Sequence, residues 1–234
     1  MADTQPAPEP KKSDLGTRAL SAVMMVAVAG TALWLGGWWW TVFVAAVALG
    51  VLWEWHLLVS AFGLSSVAHW LWNIAGLIYV GIASAVLVLM RGTAHGIELV
   101  LAVVASVIAI DVGAYFAGRT IGGPKIAPSI SPSKTWAGLG GGIFGAMLVL
   151  YLTEMQTGAV GTLPLIAAFG AIAAIVAQAG DFFESWMKRR AGVKDSGNAI
   201  PGHGGLFDRV DGLLAVCLVI GLLFARLMLP HYLS

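Results

Sequence analysis

Charge in this chain is concentrated where chemistry can use it. Of 13 Lys and Arg and 12 Asp and Glu in 234 residues, ten fall within residues 181–211. Asp181, Glu184, Ser185 and Lys188 follow an i, i+3, i+4, i+7 spacing and so share one helical face. A carboxylate at the end of an apolar span is costly unless it is paired, metal-bound or facing water. Glu184 alone fits a helix end snorkelling into headgroups equally well. Pro201-Gly202-His203-Gly204-Gly205 exposes backbone N–H groups with little side-chain bulk, which suits close approach to an anion or a plain turn. Asp208 and Asp211, at i and i+3 around Arg209, can hold one divalent ion beside a phosphate, or simply favour a helix N-terminus. Upstream, Asp111 interrupts an apolar run, with Tyr115 and Arg119 at the next two i+4 steps. An intramembrane acid is a functional candidate, and an Asp–Arg pair at a helix end is the structural alternative. The segment beyond carries Lys125, Ser129, Ser131, Ser133, Lys134 and Thr135, groups that suit phosphates or anionic headgroups.

The elements that must position these groups are apolar helices. The chain is 59% hydrophobic and 11% charged, with a mean hydropathy of +0.86. This excludes a disordered chain, a nucleic-acid binder and an ordinary soluble enzyme, and predicts a polytopic membrane protein. The expected fold is all-α, a bundle of about seven transmembrane helices near 19–36, 39–60, 68–90, 96–118, 135–154, 160–183 and 210–229. Residues 1–18 read as a flexible cytoplasmic tail and 19–234 as one membrane domain. Ala27-Val28-Ala29 resembles a cleavage site, but an uncleaved first helix suits the long polar tail better. Seven spans place all Lys and Arg except Arg91 and Arg226 on one side, which predicts the N-terminus inside and the C-terminus outside. The literal GxGxxG within Gly138–Gly145 follows no strand. It reads as close helix packing through Gly138/Gly142 and Gly141/Gly145. Glu54, between Trp53 and Trp55, reads as structural, and the lone Cys217 as inert packing. Net charge is +1 and identifies no partner.

Three stretches then carry a resemblance. Ser185-Trp186-Met187-Lys188-Arg189, Lys194-Asp195-Ser196-Gly197 and Ile200 through Asp211 together resemble the signature of the phosphatidate cytidylyltransferase (CDP-diacylglycerol synthase) family. Asp111 through Arg119, Ile130 through Gly138, and Gly180-Asp181 with Glu184-Ser185 are similar to it as well. Ser133 and Ala137 depart from the family's usual Lys and Glu, and the chain is short at its N-terminal end.

The resemblance implies transfer of a cytidylyl group from CTP to phosphatidate, giving CDP-diacylglycerol and pyrophosphate. It implies Mg2+ held by Asp181, Asp208 and Asp211, with a monovalent ion such as K+ beside it. The resemblance covers about residues 105–225, which would be the catalytic region on the cytoplasmic face, with catalytic roles falling to those acids and to Lys188 and Arg189. Substrate contacts would fall to Lys194, Asp195, His203, Gly204, Gly205, Arg209, Asp111, Arg119, Lys125, Ser131, Lys134 and Thr135. A homodimer and an inner-membrane location with the site facing the cytoplasm are further expectations. The rival readings are a CTP-dependent enzyme acting on another lipid phosphate or a polyprenol, and an ion transporter. No HExxH, Walker A or serine-nucleophile elbow is present. None is needed, because a phosphate monoester with a second pKa of about 6 is already an anionic nucleophile.

Overall fold

Each break in the apolar pattern becomes a turn with its own chemistry. The computed structural model describes residues 15–158, 161–200 and 204–233. Among them are seven helices: α1 (Leu15–Leu35), α2 (Gly37–Ser60), α3 (Ser66–Arg91), α4 (Gly96–Thr120), α5 (Trp136–Thr157), α6 (Leu163–Ala191) and α7 (Phe207–Leu233). Gly36, at φ 64°, turns α1 into α2. Ser65 caps α3 by accepting from the Ala68 N–H, and Thr135 caps α5 by accepting from the Gly138 N–H. Gly158 and Gly192 end α5 and α6 in the left-handed conformation.

Five helices, α2 to α6, are long and apolar enough to cross a bilayer. Many of their large side chains, among them Trp38, Leu49, Phe144 and Met155, are exposed, as lipid-facing residues should be. Arg91 lies at the end of the bundle away from the charged block. Its Nε donates to Leu33 O at 2.7 Å and its Nη2 to Trp34 O at 3.3 Å, so it neutralises the carbonyl end of α1.

Three expectations need correction. The fold is not wholly α. β1 (Lys125–Ala127) and β2 (Ser131–Thr135) form an antiparallel hairpin between α4 and α5, pairing Lys125 with Thr135 and Ala127 with Ser131. The expected polar tail also ran too far, because α1 already begins at Leu15; residues 1–14 lie outside the described residues. Finally, α6 continues to Ala191 rather than stopping near 183. Its polar turns keep one face against the bundle, where Glu184 and Met187 are buried.

Two contacts set the frame. Beneath the charged end, Trp55 of α2 meets Trp72, Tyr79, Phe183 and Phe207 at ring-centroid distances of 5.7–6.3 Å, which ties α2, α3, α6 and α7 together. On the other flank α4 and α5 touch backbone to backbone, and this is the role of the glycine run. A Cβ on Gly138 would stand 3.0 Å from Ala114 O, and one on Gly142 3.1 Å from Ile110 O. At Gly141 and Gly145 it would overlap the carbonyls of Gly113 and Ala109. Gly145→Val should therefore destabilise the bundle by about 1–3 kcal/mol, the scale of overpacking. A lowered thermal unfolding midpoint in detergent checks this, and an unchanged midpoint would refute the close contact.

Candidate active site

The C-terminus of α6, the loop after it and the first turn of α7 converge on one side chain, Asp208. Its Oδ2 accepts from the Gly205 N–H at 2.9 Å and the Ser196 N–H at 3.0 Å, and lies 3.1 Å from Ser196 Oγ. Its Oδ1 accepts from Lys188 Nζ at 2.6 Å. The same ammonium lies 2.6 Å from Glu184 Oε2, one helical turn back on α6. The helical phase of α6 thus delivers Glu184 and Lys188 to α7 together. Glu184 is 1% exposed, and its Oε1 has no hydrogen-bond partner among the described residues. One ammonium thus bridges two carboxyl groups in a nearly dry site, where a charge is tolerated only when it is paired and hydrogen-bonded. Gly204 sits at φ 86° and closes the loop by a bridge to Ile200, whose N–H donates to Gly204 O at 3.0 Å. A side chain there would be strained.

A second cluster lies beside the first. Asp181 of α6 pairs with Lys134, which the hairpin presents from β2. Asp211, one turn along α7 from Asp208, accepts from its neighbour's Gly212 N–H at 2.8 Å, and its carbonyl accepts from Tyr79 OH at 3.4 Å. α6 and α7 approach closely here, since a Cβ on Gly180 would lie 2.7 Å from Asp211 O. Asp111 of α4 joins them, near enough to Asp181, Asp211 and Lys134 for their charges to interact. Three carboxylates from three helices thus face one ammonium. Among the described residues, no three His, Cys, Asp or Glu side chains converge tightly enough to form a metal-binding group as they stand.

The remaining expected residues are dispersed around these two clusters. Arg119 donates to Tyr115 OH at 2.7 Å and stacks over its ring, in place of the alternative Asp111–Arg119 pair. Thr135 is buried as the α5 cap, and Ser131 is buried in β2. Gly205 is buried under Asp208, whereas Lys125, Arg189, Lys194, Asp195 and Arg209 are exposed at the same end. His203 lies outside the described residues. From this end an apolar groove of about 510 Å³ runs down between α1, α2, α4 and α7. Arg209 and Leu206 stand at its head, and Val44, Val47, Val51 and Leu213 along its walls.

A model of the cytidylyltransferase family matches residues 55–227, which include every residue named in both clusters. The chain belongs to that family. Among its cytidylyltransferase relatives, the phosphatidate cytidylyltransferase of Brucella abortus is 34% identical over 268 aligned residues, covering 95% of this chain and 97% of the relative. That of Rickettsia bellii is 34% identical over 215 residues, covering 89% and 90%. That of Haemophilus influenzae is 42% identical over 129 residues, covering 52% of this chain and 43% of the relative.

Two residues of this cytidylyltransferase were not among the expected site residues. Glu184 is the buried partner of Lys188, although its place on the shared α6 face was visible in the spacing. Glu54 of α2 reaches into the signature loop, where its Oε1 accepts from the Leu206 N–H and its Oε2 from the Phe207 N–H, both at 2.8 Å. The only sequence signal was an acid set in an otherwise apolar segment.

Proposed function

We propose that the protein transfers the cytidylyl group of CTP to phosphatidate, forming CDP-diacylglycerol and releasing pyrophosphate. A phosphate oxygen of phosphatidate attacks the α-phosphorus of CTP. One P–O bond forms there while the bond to the bridging oxygen of the β-phosphate breaks, and pyrophosphate leaves with that electron pair. The observation that carries this reading is the placement of the anion-handling residues and the apolar groove at one end of one bundle. A polar nucleotide and an embedded lipid can meet only at such a junction. Full-length similarity to proteins named phosphatidate cytidylyltransferase supports the same substrates.

The difficulty of the reaction is to bring two polyanions together, so positioning and charge neutralisation must supply most of the rate. Arg189, Lys194 and Arg209 are exposed at this end and would meet the incoming triphosphate. The backbone N–H of Gly204 in the glycine loop would donate to a phosphate oxygen. Asp208 uses Gly205 and Ser196 to hold that loop, and Lys188 to fix itself to α6. The donor chemistry fits Mg2+. Asp181, Asp211 and Asp111 are hard oxygen donors in excess over their one ammonium, Lys134. Asp181 and Asp211 would hold the ion, with Asp111 beside them, while both oxygens of Asp208 are already bonded to Lys188 and the loop. Bound there, it would offset charge on the CTP phosphates and on departing pyrophosphate.

Seven membrane spans with the charged end in the cytoplasm are part of this proposal. CTP and the anionic inner-leaflet surface lie on that side, and the Lys and Arg excess sits at that end. The acyl chains of phosphatidate would lie in the groove beside α7. Ala48→Trp, which narrows that groove, should raise KM for phosphatidate by about tenfold, the scale of losing one to two kcal/mol of apolar contact. KM for CTP should be unaffected. Equal changes in both constants would argue against this lipid path.

The test of the function is purified protein in mixed micelles with labelled CTP, phosphatidate and Mg2+. A CDP-lipid and pyrophosphate in equal amounts, both lost with EDTA, are expected. Failure to form a CDP-lipid, or preference for a polyprenol acceptor, would overturn the reading.

A further inference from the structure

We propose that Glu54, on α2 and outside the signature, is a positioning residue for this reaction: it clamps the glycine loop to the bundle so that Asp208 and Lys188 meet. The inference rests on the reaction proposed above. Glu54 is 3% exposed in an apolar helix, a costly place for a carboxylate. Its cost is met entirely by the loop. Oε1 accepts from the Leu206 N–H and Oε2 from the Phe207 N–H, each at 2.8 Å, and Ser196 Oγ lies 2.8 Å from Oε2. Phe207 is the first residue of α7, so the carboxylate also sits at the positive end of that helix.

The loop is shaped around this side chain. A Cβ on Gly205 would stand 2.7 Å from Glu54 Oε2, and one on Gly197 would collide with the same carboxylate. Both glycines are therefore needed to let the backbone close over it. The Ser196 hydroxyl then links the clamp to the site. It lies 2.8 Å from Glu54 and 3.1 Å from Asp208, so one proton is shared between two carboxylates. Asp208 in turn holds Lys188. A chain of side-chain contacts thus runs from α2 through Ser196 to Asp208 and on to α6, fixing three elements around the loop that would take the phosphates. A carboxylate needed only for folding would not have to join the residue that holds Lys188.

The experiment compares wild type with Glu54→Gln, an isostere whose amide must turn a donor toward one of the two loop N–H groups. Expected is a loss of about 10- to 100-fold in kcat/KM for CTP per folded molecule, the scale of displacing reacting groups by about 1 Å. KM for phosphatidate should be little changed. Hydrogen exchange should accelerate at the Leu206 and Phe207 amides and stay unchanged in α4 and α5. Wild-type kinetics with unchanged exchange, or an activity loss that merely tracks the folded fraction, would overturn the role. Should Glu54→Gln not fold, Ser196→Ala tests the same chain. A several-fold loss in kcat with faster exchange at the Gly205 amide is expected, and wild-type values for both would overturn it. Wild-type protein that makes no CDP-lipid would defeat the proposed reaction instead, while the exchange measurements would still judge the clamp.

Discussion

Asp208→Asn is expected to lower CDP-diacylglycerol formation by about 100-fold or more, the scale of losing a preorganised electrostatic contact. The carboxylate accepts on both oxygens: Lys188 on Oδ1, and Ser196 and Gly205 on Oδ2. An Asn amide has one acceptor and one donor. Either orientation sets its NH2 against the ammonium or against two backbone N–H groups. The loop or the α6 contact must therefore let go. Initial rates at saturating CTP and phosphatidate, on protein that elutes and unfolds like wild type, give the measurement. A rate near wild type would mean that Asp208 neither orders the loop nor serves the phosphates.

The second large effect is expected of Lys188→Met. Its ammonium bridges Glu184 and Asp208, whose side chains are 1% and 9% exposed. Met preserves much of the stem's packing and removes the charge. Asp208 then loses its cation in a nearly dry site, and breaking such a buried pair costs about 3–5 kcal/mol. The variant should unfold at a lower temperature and lose nearly all activity. Adding Asp208→Asn to it should restore part of the stability, because the second change removes the charge left unpaired by the first. Activity should not return. If the double variant were as unstable as the sum of the two single changes, the ion pair would not be the element that the geometry indicates.

The helices were legible because a bilayer demands about 20 consecutive apolar residues per span, and that demand is written locally. The glycine run at 138–145 was legible for the same reason: its spacing alone shows which positions face a neighbouring helix, and α4 lies against them. The hairpin was not legible. β1 has three residues, and β2 contains Pro132 and charged Lys134, so neither shows an alternating apolar pattern. The resemblance placed Asp208 and Asp211 together with Asp181. An i, i+3 pair is turned by about 60° around a helix, however, and here the two side chains reach different neighbours. Asp208 meets the signature loop and Lys188, whereas Asp211 lies toward Asp181 and Asp111. Glu54 was beyond local reading altogether, because its partners lie 142 to 153 residues away.

The bare glycine seam between α4 and α5 limits how this protein can vary. Where two spans meet through hydrogen atoms alone, no exchange of side chains can retune the fit. Asp111 sits beside that seam on α4 and Lys134 just before it on β2, so both inherit its alignment. A heavier residue at 141 or 145 would wedge the spans apart and carry these two charges away from α6 and α7. Its damage would be felt at the charged rim, through the helix that carries Asp111 and the strand that carries Lys134.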